Sequence, residues 1–244
     1  MCRHLAYVGP PVALRTLLFD APHALVRQAR TPRFQRSGRD NPDGWGVAWG
    51  TDPRDRYRSA DPMWDDSSFA GERESSFVFA AARYASPGSV RDERNSAPFV
   101  AEGWAFSLNG FVSGFRDGFG DVLRALLTPK RRRAIEGDTD SEVVFALVLD
   151  RLDAGATPGE ALGDVTRIVR AESTGALNLL LSDGERIAAT ALDNSLSVRA
   201  GNGMLVASEP LDDGDSWVEV DNGSLVENDL VGPIPGLAPL GDPP

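Results

Sequence analysis

The sequence predicts an α+β fold, because strand-like segments occur at both ends of the chain and helix-like segments fill its middle. Short apolar segments with strand character cover residues 2–9, 44–49, 77–82 and 104–108. After the helical middle, short apolar runs are separated by turn pairs such as Asp183-Gly184, which is typical of an antiparallel meander. This order indicates layered sheets and helices in one domain.

The first strand is expected to be short. It ends at Gly9-Pro10-Pro11, and a helix is expected to begin at the prolines, because Leu14, Leu17 and Leu18 follow with helical spacing. Residues 30–43 are polar with Pro and Gly and predict a loop. Residues 52–73 are charged and predict a surface excursion.

Three further helices are expected in the middle of the chain, at residues 117–127, 139–152 and 157–170. The second is the clearest, because Thr139-Asp140-Ser141-Glu142 has the capping-box pattern before an apolar stripe. The chain is therefore divided into a domain over residues 1–231 and a Pro/Gly-rich tail over 232–244, expected to be extended or disordered.

The composition disfavours several classes of protein. A formal net charge of -11 disfavours a nucleic-acid partner, and the one basic cluster, residues 130–133, is short enough to be a solvated helix end or loop. No apolar run of about 18 residues is present to span a membrane, and the amino terminus lacks the features of a signal peptide. These observations predict a cytoplasmic protein. They leave the oligomeric state open.

Cofactors and metals are not expected. Cys2 is the only cysteine, and His4 and His23 are the only histidines, so a Cys/His zinc site cannot be assembled. Carboxylate-rich metal sites stay open, but no pattern supports one. Lys130 is the only lysine, which disfavours a lysine nucleophile.

Cys2 is the candidate nucleophile. Met1 before a small residue is normally excised, which leaves a thiol and a free α-amine on one residue, and this amine has an ordinary pKa of about 7.7 to 8.0. From residue type alone, a nucleophilic Cys2 and a Cys2 that only fills the core as a small apolar residue are equally favoured. A pairing with His4 is disfavoured, because the Cα atoms of residues i and i+2 of a strand lie about 6.6 Å apart.

Three further positions carry candidate chemistry, each with a plainer alternative. Arg83 ends a strand and could grip a carboxylate bidentately, or form a surface ion pair. Asp140 could bind an ammonium group, or be favoured in the first turn of the helix only by the helix dipole. Asn109-Gly110 follows an apolar strand and could supply two oxyanion donors, form a hairpin turn, or do both.

The ordered set of landmarks resembles class II glutamine amidotransferase domains over most of the chain, from residue 2 to about residue 211. The segments that carry the resemblance are Met1-Cys2-Arg3, Arg83-Tyr84-Ala85-Ser86, Asn95-Ser96-Ala97-Pro98-Phe99, Leu108-Asn109-Gly110 and Thr139-Asp140-Ser141-Glu142.

This resemblance implies a four-layer αββα sandwich of the N-terminal-nucleophile hydrolase type. It also implies a role for each matched residue: Cys2 as nucleophile with its α-amine as base, Asn109 and Gly110 as oxyanion hole, Arg83 as carboxylate clamp, Asp140 as ammonium partner, and Ser86 as a hydroxyl where the family often has Thr. The chain departs from the family at Ala97, where His is common, and any contact of that side chain is lost.

The opening residues 1–9, the turn at 41–46 and the segment 207–211 resemble a branch of this family that hydrolyses γ-glutamyl amides in ergothioneine biosynthesis. The expected reaction converts γ-glutamyl-hercynylcysteine S-oxide to glutamate and hercynylcysteine S-oxide, so the expected partner is a small γ-glutamyl molecule. Two alternatives stay open: a glutaminase or amidotransferase subunit that supplies ammonia from L-glutamine, and a non-catalytic γ-glutamyl-binding domain. Loops 30–43 and 86–95 are candidates for contacts with the far half of the substrate.

Overall fold

The computed structural model describes residues 2–35, 40–50, 55–66, 69, 73–86, 88–228 and 230–237. Its strands are β1 Arg3–Ala13, β2 Trp45–Trp49, β3 Arg56–Ser59, β4 Glu74–Ala82, β5 Phe99–Ala101, β6 Trp104–Gly110, β7 Leu177–Ser182, β8 Ile187–Ala191, β9 Ser197–Arg199, β10 Met204–Ala207, β11 Val218–Glu219, β12 Ser224–Glu227 and β13 Leu230–Pro233.

The α-helices are α1 Leu25–Arg30, α2 Phe119–Leu126, α3 Pro129–Ala134, α4 Asp140–Asp153 and α5 Pro158–Arg170. A π-helical turn covers Thr16–Asp20, and single 3₁₀ turns cover Met63–Asp65, Glu93–Asn95 and Phe115–Asp117. The three helices expected in the middle of the chain are confirmed as α2, α4 and α5, within a few residues at each end.

The strands form two sheets. The first has the order β11-β9-β10-β1-β4-β2-β3, and the second has the order β13-β12-β8-β7-β6-β5. All the pairings are antiparallel. β1 lies in the middle of the first sheet and pairs with β10 on one side and β4 on the other, so the start of the chain is held from both sides.

Three apolar cores separate four layers. One packs the π-turn and α1 against the first sheet, a second fills the space between the sheets, and a third packs α2, α4 and α5 against the second sheet. Alternation along the strands supplies these cores: Leu180 of β7 faces the other sheet, whereas Leu179 and Leu181 face the helices. The expected αββα sandwich is confirmed.

The prediction that a helix begins at the prolines of the first segment is wrong, because β1 continues through Pro10 and Pro11 to Ala13. Pairing with β10 ends at Val8, and the register with β4 shifts between Val8 and Val12. The prolines are exposed at this irregularity. Because the ladder of hydrogen bonds is interrupted there, their lack of an N–H group costs no hydrogen bond.

Two other local predictions are corrected. The excursion over residues 52–73 contains β3, which pairs with β2; residues 52–54, 67–68 and 70–72 lie outside the described part. Asn109-Gly110 does not form a hairpin turn, because both residues lie within β6 and pair with Asn178 and Leu177.

The capping box is found one helix later than predicted. Thr139 caps α4 by accepting from the Glu142 N–H, but the Glu142 carboxylate accepts from the N–H groups of Glu136 and Gly137 instead of returning to Thr139. The reciprocal pair forms at Thr157 and Glu160 of α5.

Among the described residues, no helix is long and apolar enough to cross a membrane.

Near the carboxyl terminus, Gly232 and Pro233 belong to β13, and Ile234 is buried. Residues 238–244 of the predicted tail lie outside the described residues.

We expect Phe106→Ala to lower the free energy of unfolding by about 3–5 kcal/mol, because it leaves a cavity between β6 and α4. The Phe106 ring is fully buried and stacks on Phe145 with centroids 5.1 Å apart. Urea denaturation measures the loss. Val231→Ala, at a position 52% exposed on the edge strand β13, is the control and should cost under about 1 kcal/mol; equal losses in the two variants would contradict this packing.

Candidate active site

A cavity of about 680 Å³ opens where the start of β1, the ends of β4 and β6 and the start of α4 meet. Five of the six candidate residues line it: Cys2, Arg83, Ser86, Gly110 and Asp140. Asn109 does not line it. Ala97 also lines the cavity, and its methyl group fills less of it than the His that is common at this position in the resembled family.

Cys2 directly precedes β1 and is partly exposed. Its thiol lies 3.9 Å from the carbonyl oxygen of Tyr84, to which it donates a weak hydrogen bond. Because Arg3 pairs with Ala82 at the end of β4, the nucleophile candidate is held beside the segment that carries Arg83.

Arg3, which the sequence reasoning did not single out, anchors the strand on its outer face. Its Nη1 lies 3.1 Å from Glu209 Oε1, and both side chains are completely buried. The Glu209 carboxylate also accepts from the backbone N–H groups of Arg33 and Phe34. Burial lowers the pKa of Arg3, and the charge of Glu209 opposes that shift. The only feature of the sequence that could have indicated a role for Arg3 is its position next to Cys2.

His4 lies on the inner face, completely buried, with Nδ1 2.8 Å from Ser107 Oγ of the other sheet. Its Nε2 has no hydrogen-bond partner among the described residues. Burial, and secondarily the charge of Arg3, lowers the pKa of His4 to about 3. A neutral imidazole does not supply the positive charge that a thiolate–imidazolium pair with Cys2 requires.

Arg83 lies in the cavity wall and is 7% exposed. Its Nη1 donates to the carbonyl oxygens of Asp43 and Val90 at 3.3 and 3.4 Å, and its Nη2 donates to Ser89 Oγ at 2.5 Å. These acceptors are uncharged, so they orient the guanidinium without neutralising its charge. Ser86 is exposed at the rim of the same wall.

Asp140 is the first residue of α4. Its Oδ2 accepts from the N–H of Val112 at 2.8 Å, and its Oδ1 accepts from the N–H and hydroxyl of Ser141 at 2.8 and 3.3 Å. Burial raises the pKa of Asp140, while these hydrogen bonds and the nearby charge of Arg83 oppose the shift. Among the charged residues that line the cavity, Arg83 and Asp140 therefore offer a cationic and an anionic group that suit the head of an amino acid.

Asn109 is completely buried beside the cavity. Its Nδ2 lies 3.3 Å from Ser208 Oγ, and its Oδ1 has no hydrogen-bond partner in the part of the chain that the structure describes. Gly110 has no room for a side chain, because a Cβ would overlap the carbonyl of Ala176. Packing against Ala176, rather than an unusual backbone angle, therefore accounts for glycine at position 110.

The wall formed by residues 111–117 was missed by the sequence reasoning, although Arg116 and Asp117 are charged and Phe111 is 42% exposed. Arg116 pairs with Asp138 at 2.8 Å.

Two loops were expected to contact the far half of a substrate. The loop 86–95 contributes Ser86, Ser89 and Asn95 to the lining of the cavity, whereas the described part of the loop 30–43 contributes no lining residue. Within the described residues, no group of three or more His, Cys, Asp or Glu is placed to hold a metal ion.

Comparison with known proteins identifies relatives over nearly the whole chain. The model of the family "Glutamine amidotransferases class-II" matches residues 14–201. The γ-glutamyl-hercynylcysteine sulfoxide hydrolase of Mycobacterium tuberculosis is 36% identical over 93% of this chain and 92% of its own length. The protein of the same name from Mycolicibacterium smegmatis is 37% identical over 93% and 95%.

Solved structures agree with this fold. A glutamine aminotransferase class-II domain protein from Silicibacter pomeroyi has a TM-score of 0.64 and 25% identity, over 93% of this chain and 94% of that chain. The glutamine phosphoribosylpyrophosphate amidotransferase of Bacillus subtilis has a TM-score of 0.66 at 14% identity, over 97% of this chain and 50% of that chain. The second likeness concerns the fold alone.

The neutral His4 makes the native state sensitive to acid. An unfolded chain takes up a proton at His4 near pH 6.5, and the folded chain only near pH 3, so stability falls as the pH drops through this window. We expect His4→Gln to lose less stability than the wild type between pH 7 and pH 4. Urea midpoints at several pH values measure the slopes, and parallel slopes in the two proteins would contradict the assignment.

Proposed function

This chain belongs to the class-II glutamine amidotransferase family, and we propose that it hydrolyses the γ-glutamyl amide bond of γ-glutamyl-hercynylcysteine sulfoxide, with Cys2 as nucleophile. The substrate assignment rests on the similarity to two hydrolases of that name over almost the full length of all three chains. The cavity that contains Cys2, Arg83 and Asp140 supports the chemistry.

The glutamyl head occupies the charged part of the cavity. Arg83 binds the α-carboxylate through its planar guanidinium, and Asp140 binds the α-ammonium group. The Asp43, Val90 and Ser89 oxygens already aim the guanidinium, so little side-chain entropy is lost when the substrate binds. Ser86, at the rim, offers a hydroxyl to the same head.

The reaction proceeds through a thioester. The α-amine of Cys2 takes the thiol proton, the sulfur attacks the γ-carbonyl carbon, and the oxyanion is stabilised by Asn109 and Gly110. Collapse breaks the C–N bond, and the leaving amine receives the proton from the α-ammonium group. Water then attacks the thioester by the reverse proton route, releasing glutamate and restoring the thiol.

The rest of the cavity accommodates the leaving half of the substrate. A volume of about 680 Å³ suits a ligand larger than one amino acid. The hercynyl group carries a quaternary ammonium ion, which binds favourably to aromatic faces and carboxylates. Phe111 and Asp117, both exposed on the wall of residues 111–117, provide one of each.

The direct test measures glutamate release from γ-glutamyl-hercynylcysteine sulfoxide and from L-glutamine by the purified protein. We expect a higher kcat/KM for the sulfoxide and no turnover of either substrate by Cys2→Ala. Preferential release of ammonia from L-glutamine would support a glutaminase instead. Binding of the sulfoxide without turnover of either substrate would support a non-catalytic γ-glutamyl-binding domain.

A second test concerns the base. A form that retains residues before Cys2 keeps the thiol but turns the α-amine into an amide, which cannot accept a proton. We expect such a form, confirmed by intact mass, to fold and to have nearly no activity, while the matched form that begins at Cys2 is active. Full activity of the extended form would contradict the mechanism.

A further inference from the structure

We propose that Ser208 is a positioning residue: its hydroxyl sets the Asn109 amide against the strand that carries Cys2. This inference rests on the proposed function, because it assigns a role within that reaction. Ser208 directly follows β10 and is completely buried on the inner face of the first sheet.

Ser208 holds the backbone of His4 at both of its polar groups. The Ser208 N–H donates to the His4 carbonyl oxygen at 2.9 Å, and Ser208 Oγ accepts from the His4 N–H at 3.0 Å. His4 is two residues from the nucleophile. Ser195 Oγ donates to the carbonyl oxygen of Ser208 at 2.8 Å and fixes the segment from the other side.

The same hydroxyl reaches across to the second sheet, where Asn109 Nδ2 lies 3.3 Å from Ser208 Oγ. One oxygen atom therefore contacts both the strand of the nucleophile and the side chain assigned to the oxyanion. The separation of these two groups depends on the spacing of two sheets, and this hydroxyl joins the sheets at that point.

The hydroxyl also orients the amide. In the arrangement described, Ser208 Oγ accepts from two N–H groups, and the buried Asn109 Oδ1 has no partner. Turning the amide by half a turn lets the Ser208 O–H donate to Asn109 Oδ1 while Ser208 Oγ still accepts from the His4 N–H, so the Ser208 O–H and Asn109 Oδ1 each gain a partner. Both N–H donors of Asn109 are then left for the oxyanion.

The contacts of the neighbouring Glu209 distinguish the positioning role of Ser208 from a role in attaching the segment to β1. Glu209 makes the buried ion pair with Arg3 on the outer face of the strand, so the attachment of the segment does not depend on the Ser208 hydroxyl. Removal of that hydroxyl should act on the reaction through Asn109.

A double-mutant cycle tests this dependence. We expect Asn109→Ala to lower kcat by about 10²–10³, as for other oxyanion donors, and Ser208→Ala to lower kcat by about tenfold with KM little changed. The double variant should be no slower than Asn109→Ala alone. Multiplying effects, or a Ser208→Ala loss confined to KM, would overturn the proposal.

The matched control is Ser197→Ala, which removes a buried hydroxyl from β9, the strand paired with β10. Its kcat should equal that of the wild type, and a loss as large as that of Ser208→Ala would count against a specific role. Inactive wild-type protein would contradict the proposed function itself, whereas an active wild type with an additive cycle would contradict the positioning role alone.

A measurement on the wild type covers the case in which Ser208→Ala does not fold. A crystal structure with a γ-electrophilic glutamine analogue bound to Cys2 should show the ligand oxygen at one end of the Asn109 amide and Ser208 Oγ at the other. Separation of Ser208 from Asn109, or contact of both oxygens with the same end, would overturn the assignment.

Discussion

The arrangement of the site depends on the buried ion pair between Arg3 and Glu209. Both side chains are completely removed from solvent, and Glu209 also accepts from two backbone N–H groups of the loop after α1. Loss of one partner from such a pair typically costs about 3–5 kcal/mol, because a charge is left buried and unpaired. The pair joins the residue after the nucleophile to the residue after Ser208. It therefore fixes Cys2 and Ser208 relative to each other.

Local patterns predicted the α+β class and the ends of the elements that carry the site, whereas the αββα layer order came from the resemblance to a family. Thr139 and the apolar stripe of α4 mark a helix start, and the run before Arg83 marks a strand end. In an αββα sandwich these ends meet at one edge, so Cys2, Arg83 and Asp140 lie in one cavity. Their roles came from the resemblance to a family, since each residue taken separately had a plainer explanation.

The features that the sequence did not predict depend on distant partners. Pro10 and Pro11 remain in a strand because the pairing of β10 ends before them, and no local pattern records where a neighbouring strand stops. Asn109-Gly110 matches a turn dipeptide, but pairing with β7 holds it in a strand. Ser208 acquires its importance from contacts with residues 4 and 109, which are 204 and 99 positions away.

The charges of the site favour the amine of Cys2 as the base. His4, with a pKa of about 3, is a much weaker base than an α-amine whose ordinary pKa is about 7.7 to 8.0. Asp140 accepts three hydrogen bonds, and Arg3 is paired with Glu209. In the proposed reaction the nucleophile and the base belong to one residue, so the fold has to place only Cys2 against the proposed oxyanion donors, Asn109 and Gly110. This explains why the two residues after it are anchored on opposite faces of β1, Arg3 by Glu209 and His4 by Ser208.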